Sequence, residues 1–74
     1  MQVCYDSSKD VLTIVLSSTP VRTIDTEKPG VVIGYGGDGS LVNFEIKDAS
    51  RRIDDPRSVD LCVNGRNIQG MKLL

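Results

Sequence analysis

Histidine and tryptophan are absent from this chain of 74 residues, and aromatic residues are scarce. Tyr5, Tyr35 and Phe44 are the only three. Without histidine, Ser-His-Asp and Cys-His nucleophiles are excluded, and catalytic zinc sites lose their usual imidazole ligands. No apolar run approaches the roughly 18 residues of a transmembrane helix. We therefore expect no metal, no cofactor, no catalytic residue of these classes and no membrane-spanning segment.

Cysteine is almost as scarce, since Cys4 and Cys62 are the only two. They lack the CxxC spacing of a structural zinc site. The chain shows no signal peptide, and this predicts a cytoplasmic protein with reduced thiols. Both cysteines lie between apolar or β-forming neighbours, so we expect them to face the core. A Cys4–Cys62 disulfide is the alternative.

The length and the charge balance both limit the function. A chain of 74 residues makes one small domain. Residues 1–46 carry three basic and six acidic side chains, and residues 47–74 carry six basic and four acidic ones. This difference in net charge between the two parts is weak, and aspartates lie among the arginines, as is typical of a solvated surface. Binding to nucleic acid is therefore not favoured.

The first quarter of the chain has the pattern of a β-hairpin. A short β-prone segment, Gln2–Tyr5, is followed by the polar turn Asp6–Asp10, in which Asp and Ser side chains can bond the local backbone. Residues 11–16 then alternate, with Leu12, Ile14 and Leu16 on one face and Val11, Thr13 and Val15 on the other. This alternation and the β-branched content predict a strand.

Three more strand candidates follow at short spacing. Val21–Thr26 predicts a weak edge strand, and Val31–Tyr35 and Leu41–Ile46 predict a pair joined by a glycine-rich tip. Five strands in this sequence predict an antiparallel β-meander, so the fold class is mainly β. The expected core contains Val3 or Tyr5, Leu12, Ile14, Leu16, Ile33, Val42, Phe44, Ile46 and Ala49, and the expected opposite face of the last strand carries Leu41, Asn43 and Glu45.

The C-terminal third leaves two structures open. Lys47–Arg52 predicts a short helical turn. Residues 57–74 then form either a helix with Pro56 at its first position, or a hairpin around Asn64-Gly65 with Leu61 opposite Ile68. We favour the hairpin because Val and Cys are poor helix formers. The predicted single domain 1–74 thus consists of a β-meander (1–46) and an extension (47–74) that packs on it.

The order of several short motifs resembles a known family. These are Tyr5-Asp6-x3-Asp10-x-Leu12, Asp38-Gly39-x-Leu41-Val42 and Glu45-Ile46-x-Asp48-Ala49-Ser50. Together they resemble the small bacterial proteins grouped as domain of unknown function 2283, over residues 3 to about 52. The resemblance implies a small β-rich bacterial protein with no catalytic residue to carry over. It also implies an antitoxin-type role, since some relatives lie beside small toxin-like proteins.

The most informative polar residues cluster after the last strand of the predicted meander. They are Glu45, Asp48, Ser50, Arg51 and Arg52, and we interpret them as an interaction site. Two other functions use the same stretch. Glu45 and Asp48 form a carboxylate pair that would suit acid/base catalysis in a small enzyme, and the Arg51–Arg57 segment would suit phosphate contacts in a nucleic-acid-binding module.

Surplus apolar residues favour self-association or another small protein as partner. Val11, Val15, Val32 and Leu41 fall opposite the predicted core stripe. With Leu61, Ile68, Leu73 and Leu74, they exceed what one short tail covers. Such patches usually mark interaction surfaces, and two-fold association is the commonest way to bury them. In the competing structure, the tail folds over that face and leaves a monomer.

Overall fold

Two antiparallel sheets contain most of the regular structure. The computed structural model describes the backbone of residues 1–72 and the side-chain environment of residues 1–67. The elements are β1 (Gln2–Asp6), β2 (Val11–Val15), β3 (Thr23–Asp25), β4 (Val31–Tyr35), β5 (Leu41–Lys47), α1 (Ala49–Arg52), β6 (Ser58–Val63) and β7 (Arg66–Lys72). The prediction of a mainly β chain with an antiparallel sheet and a short helical turn is confirmed.

The large sheet has the strand order β1-β2-β5-β4-β3. In a strictly sequential meander, β3 would pair with β2, and this part of the prediction is wrong. Residues 16–22 instead cross to the far edge, and β5 enters between β2 and β4. The amides of Leu16 and Ser17 both donate to the Val42 carbonyl, at 2.8 and 3.2 Å, so the crossover begins tied to the central strand.

The strand register divides the side chains of the large sheet into two faces. Directly opposed residues of antiparallel strands project to the same side. We call one side the apolar face, and it carries Val3, Tyr5, Leu12, Ile14, Val31, Ile33, Tyr35, Leu41, Phe44 and Ile46. We call the other side the mixed face, and it carries Gln2, Cys4, Asp6, Val11, Thr13, Val15, Val32, Asn43, Glu45 and Lys47.

A register shift at the end of the β4–β5 ladder changes the position of Leu41. Gly34 pairs with Asn43 and Tyr35 pairs with Leu41, so Val42 is an additional residue in β5. Such a bulge reverses the alternation locally. Leu41 therefore lies beside Tyr35, not on the opposite face as predicted, whereas Val42 is buried as predicted.

Only a small part of the predicted core is fully covered. Among the described residues, the buried hydrophobic side chains are Leu12, Val42 and Ala49. The rest of the stripe on β2, β4 and β5 is half-buried. Leu16 is 39 % exposed, because β2 ends at Val15 and the chain turns away there into the crossover. Its placement in the core is wrong.

The tail adopts the hairpin and not the helix. Leu61 faces Ile68 and Cys62 faces Asn67 in the β6–β7 register, as the hairpin alternative predicts. Asn64 (φ 53°) and Gly65 (φ 76°) both have positive φ, which is the requirement of a type I′ turn. The hairpin is a sheet of its own. Its packing on the large sheet stays a prediction, and Leu73 and Leu74 lie outside the described residues.

Both cysteines are free thiols, and both are exposed. The prediction that they face the core is wrong. Cys4 lies on the mixed face of the edge strand β1, and Cys62 lies on a hairpin with little apolar cover.

Among the described residues, no helix has the length and apolar character needed to cross a membrane.

Candidate functional site: the open apolar face

The predicted site residues after β5 lie at a junction built around Asp10. Asp10 ends the β1–β2 turn with φ 56°, a left-handed conformation that Asp tolerates better than most residues. Its carbonyl accepts a hydrogen bond from the Ala49 amide at 3.0 Å. This contact joins the start of α1 to the hairpin β1–β2, which lies 39 residues earlier in the sequence.

The Asp10 carboxylate makes the side-chain part of the same junction. Oδ1 accepts hydrogen bonds from the Tyr5 hydroxyl at 2.7 Å and from the Ser50 amide at 3.0 Å. Oδ2 accepts one from the Ser50 hydroxyl at 2.6 Å. The carboxylate thus binds β1 through the Tyr5 hydroxyl and α1 through the amide and hydroxyl of Ser50. These three bonds to a charged acceptor fix the position of α1 on the sheet.

These hydrogen bonds change the acidity of both groups. The Ser50 hydroxyl, followed by the Tyr5 hydroxyl, lowers the pKa of Asp10 below its ordinary value of 3.8. The same hydrogen bond to Asp10 raises the pKa of Tyr5 above 10.0. Both shifts favour a charged Asp10 and a neutral Tyr5, the protonation states in which the junction forms.

The remaining predicted site residues are spread around this junction. Asp48 is exposed and has φ 53°, immediately before α1. Arg51 contributes a smaller electrostatic lowering to the pKa of Asp10. Arg52 lies against Gly30, where an added Cβ would stand 2.5 Å from the guanidinium carbon. Glu45 lies apart from them on the mixed face, paired with Thr13 and Val32.

The apolar face carries a depression with a volume of about 520 Å³. Its lining contains no charged side chain and consists of Val31, Ile33, Tyr35, Gly39, Leu41, Phe44 and Ile46. The five lining residues of β4 and β5 other than Leu41 are half-buried. Apolar surface on the two inner strands of a sheet is normally covered by a second layer.

The crossover leaves this face open because it passes over the other one. The Gly34 position opposes Asn43 on the mixed face, and a Cβ there would meet the Val21 methyl groups at 3.1 and 3.3 Å. Val21 therefore covers the mixed face near β4. Within the described residues, α1 is fixed at the end of the sheet by Asp10, away from the end at which Tyr35 and Leu41 lie.

The sequence pattern identified most residues of the apolar face but not its open state. The alternation of apolar residues in β2 and β5 predicted one common face for Leu12, Ile14, Phe44 and Ile46. The register of the two strands confirms this prediction. The surplus surface was expected on the opposite side. The role of Asp10 was also missed, although it belongs to the motif that carries the family resemblance together with Tyr5 and Ser50.

Comparison with known proteins gives one match. A sequence model described as "Protein of unknown function (DUF2283)" matches residues 2–50, which include all five strands of the large sheet and the first half of α1. No curated protein and no solved structure matches the chain. Among the described residues, no group of three or more Cys, Asp or Glu side chains is placed to hold a metal ion.

Proposed function

This chain belongs to the DUF2283 family, and we propose that it is a non-enzymatic protein-interaction module that binds through the apolar face. The observation that carries the proposal is the depression of about 520 Å³ on the inner strands of the sheet. Large exposed apolar patches on small domains usually mark binding surfaces. Here the depression lies on β4 and β5, which are inner strands of the sheet.

The chemistry of the face suits a protein partner. Interface centres are depleted in charge and enriched in aromatic side chains. Tyr35 and Phe44 are two of the three aromatic residues of the chain, and both line the depression. The Tyr35 ring adds a hydroxyl to an otherwise apolar surface, and so it can fix the orientation of a partner.

The residues around Asp10 have a structural role that is separate from the apolar face. Ser50 is engaged by the Asp10 carboxylate, and Arg52 lies against Gly30. We assign these residues to holding the junction between α1 and the sheet. Direct partner contacts by Glu45, Asp48, Ser50, Arg51 and Arg52 stay a prediction.

In the cell, the proposal corresponds to a cytoplasmic bacterial protein that self-associates or acts as the antitoxin-like partner of another small protein. The two other predicted functions stay predictions, because no specific observation favours them. Arg51 and Arg57, at the ends of the segment predicted to bind nucleic acid, lie near Asp10 and over the Tyr5 ring, respectively. Glu45 and Asp48, the predicted catalytic pair, are not joined by a described hydrogen bond.

Binding of a hydrophobic fluorescent dye tests the proposal. We expect the full chain to enhance the fluorescence of anilinonaphthalene sulfonate increasingly on dilution, as any bound partner leaves the apolar face. Ile33→Lys places a charge on this face and is expected to reduce the enhancement. The matched control is Val32→Lys, on the neighbouring half-buried residue of β4 that faces the other way. A wild-type chain that binds no dye while monomeric at every concentration contradicts the proposal.

A further inference from the structure

We propose that the apolar face is covered by a second copy of this chain, packed sheet against sheet around a two-fold axis. The homodimer is then a β-sandwich whose core consists of two apolar faces. This inference rests on the proposed function and names the partner. It is supported by the amount of exposed surface, by the charge of the face and by the requirements of folding.

The chain exposes more surface than a compact monomer of its mass. A globular protein of 8.1 kDa has an accessible surface of about 4,500 Å². This chain exposes 5689 Å², an excess of about 1,200 Å². The Cα radius of gyration is 13.4 Å, where about 11 Å is expected for 74 residues. Both values exceed those of a compact monomer, so the chain has surface to spare for a further layer of packing.

The excess area meets the requirement of a stable dimer. Each partner in a standard protein interface loses about 800 Å² of accessible surface. On the apolar face Leu41 is 41 % exposed, and on the β6–β7 hairpin Leu61 is 39 % and Val63 is 49 % exposed. A second copy that covers the face and part of the hairpin would restore the surface of a compact protein.

The charge of the apolar face favours a copy of itself over an unrelated partner. None of its ten side chains is charged, and the one described cation over them is the Arg57 guanidinium, which lies 6.0 Å from the centre of the Tyr5 ring at the β1 edge. The first charged residue beyond this face is Asp25, which pairs with Ile33 on the edge strand β3. An uncharged face gains no specificity from complementary charges. In an isologous interface a patch faces an identical patch and must be complementary to itself. An uncharged apolar patch meets this requirement, because no like charges oppose each other.

Folding adds a requirement that a second copy always fulfils. A single sheet is stable only when one face packs on another layer. Leu12, Val42 and Ala49 are the described hydrophobic side chains that the chain buries by itself. A second copy can supply this layer, because it is present wherever the chain is made.

The two-fold arrangement places specific residues in the new core. Packed sheets lie about 10 Å apart with their strands within about 30° of each other. Phe44 of the central strand β5 and its neighbour Ile33 would lie near the axis, where each meets its counterpart. Cys4, Thr13 and Glu45, on the mixed face, would remain on the outside of the dimer.

Sedimentation equilibrium of the full chain gives the first test. We expect twice the chain mass of 8.1 kDa at micromolar concentration. Ile33→Lys buries two unpaired charges at the axis and is expected to weaken the dimer by at least about 100-fold. Val32→Lys, on the mixed face of the same strand, is expected to dimerise as the wild type does. Circular dichroism of each variant establishes whether it is folded.

Cross-linking keeps the proposal testable where a lysine variant does not fold. In the background Cys4→Ser and Cys62→Ser, a single thiol is introduced by Ile33→Cys or, as the matched control, by Val32→Cys. A bismaleimide with a span of about 10 Å matches the separation of packed sheets. We expect covalent dimers from Ile33→Cys and monomers from Val32→Cys.

The outcomes separate this inference from the proposed function. A wild-type monomer that binds the hydrophobic dye overturns the second copy as partner and leaves the interaction module in place. A monomer that binds no dye overturns both, and means that the tail covers the face within one chain. A dimer that Val32→Lys dissociates, or that Val32→Cys cross-links as well as Ile33→Cys does, overturns the apolar face as the interface.

Discussion

At the scale of single residues, the Asp10 carboxylate accepts hydrogen bonds from Tyr5 in β1 and from the amide and hydroxyl of Ser50 in α1. The Asp10 carbonyl adds a bond from Ala49. Asp6 and Asp38 differ from it, because each accepts only from residues two or three positions away in its own turn. Local bonds close a turn, whereas the bonds of Asp10 join parts of the chain that are distant in sequence.

Replacement of Asp10 tests this junction. We expect Asp10→Ala to lower the thermal midpoint clearly, because it removes three hydrogen bonds. It also places alanine at positive φ, a conformation that alanine tolerates less well than aspartate. Asp10→Asn keeps one acceptor oxygen and tolerates the backbone conformation, so its effect is expected to be smaller. Asp38→Asn, in the β4–β5 turn, is the control and is expected to be nearly silent. Equal melting of Asp10→Ala and Asp38→Asn would contradict the role of the junction.

The pKa of Asp10 also predicts a dependence of stability on pH. Its pKa is lower in the folded chain than its ordinary value of 3.8. The group therefore stabilises the fold above that value, and the contribution is lost as the pH falls through the lower folded pKa. Denaturant midpoints measured from pH 6 down to pH 2 are expected to fall steeply for the wild type and less for Asp10→Asn. Identical curves would show that Asp10 has the same pKa in both states.

Phe44 is one of the three aromatic side chains of the apolar face and belongs to the central strand. Phe44→Ala is expected to destabilise the protein by about 3–5 kcal/mol, the usual cost when a buried Phe is truncated. The size of this loss depends on the second layer, since Phe44 is only half-buried within one chain. Denaturant unfolding at several protein concentrations measures it. A loss below about 1 kcal/mol would show that nothing covers the face.

At the scale of elements, the crossover of residues 16–22 determines which face of the sheet stays open. It passes over the mixed face, where Gly34 leaves room for Val21 beside Asn43. The glycine is therefore required for close packing and not for its backbone freedom. The central position of β5 depends on the same crossover, because β3 reaches the far edge only by this path.

Gly34→Ala tests the packing of the crossover. The added Cβ would overlap the Asn43 side chain and press on Val21, so we expect a loss of about 1–3 kcal/mol, as for other overpacked sites. Gly37→Ala is the matched control, since its Cβ would meet only Arg22 at an ordinary 3.5 Å. Denaturant midpoints of the two variants should differ clearly. Equal midpoints would place the crossover elsewhere.

The hairpin β6–β7 is the second element whose independence can be measured. Gly65→Val puts a β-branched residue at φ 76°, where left-handed backbone costs an L-residue about 1–2 kcal/mol. A lone hairpin is marginal, so this change is expected to unfold it. Amide NMR shifts should then change in β6 and β7 while those of β1 to β5 stay. Simultaneous loss of both sheets would show that the hairpin supports the large one.

At the scale of the whole molecule, the apolar face of the large sheet is only partly covered by the described residues. The chain exposes 5689 Å², and most of the described side chains that would line the new core are half-buried. The mixed face has different properties, since it carries Glu45, Lys47 and the crossover. A dimer would therefore use one face only and would remain closed at two copies.

The Cys4 thiol tests which face of the large sheet forms the proposed dimer interface. Cys4 lies on the mixed face and Cys62 on the hairpin, and both are exposed. We expect dithionitrobenzoate to react rapidly with Cys4 in the folded dimer, because the partner covers the opposite side of β1. The Cys62→Ser variant isolates this reaction. A Cys4 thiol that reacts only after unfolding would place the interface on the mixed face.

The sequence by itself determined which side chains of β2 and of residues 43–46 in β5 share a face, and it located the β6–β7 turn. Alternation in β2 and β5 is a local property, since successive side chains of a strand point to opposite sides whatever the strand pairs with. The hairpin followed from Asn64-Gly65 in the same way, because its turn type depends on two adjacent residues. Those features survive any arrangement of the strands.

The tertiary structure alone decided which strands are neighbours and which face is covered. The insertion of β5 between β2 and β4, the contact of Asp10 with Ser50, and the exposure of Leu16 and Cys4 all depend on pairings between segments far apart in sequence. No local pattern encodes such pairings, because the same strand can pair on either edge with equal backbone hydrogen bonding. The choice is made by packing of the whole sheet, and in this chain that packing leaves the apolar face open.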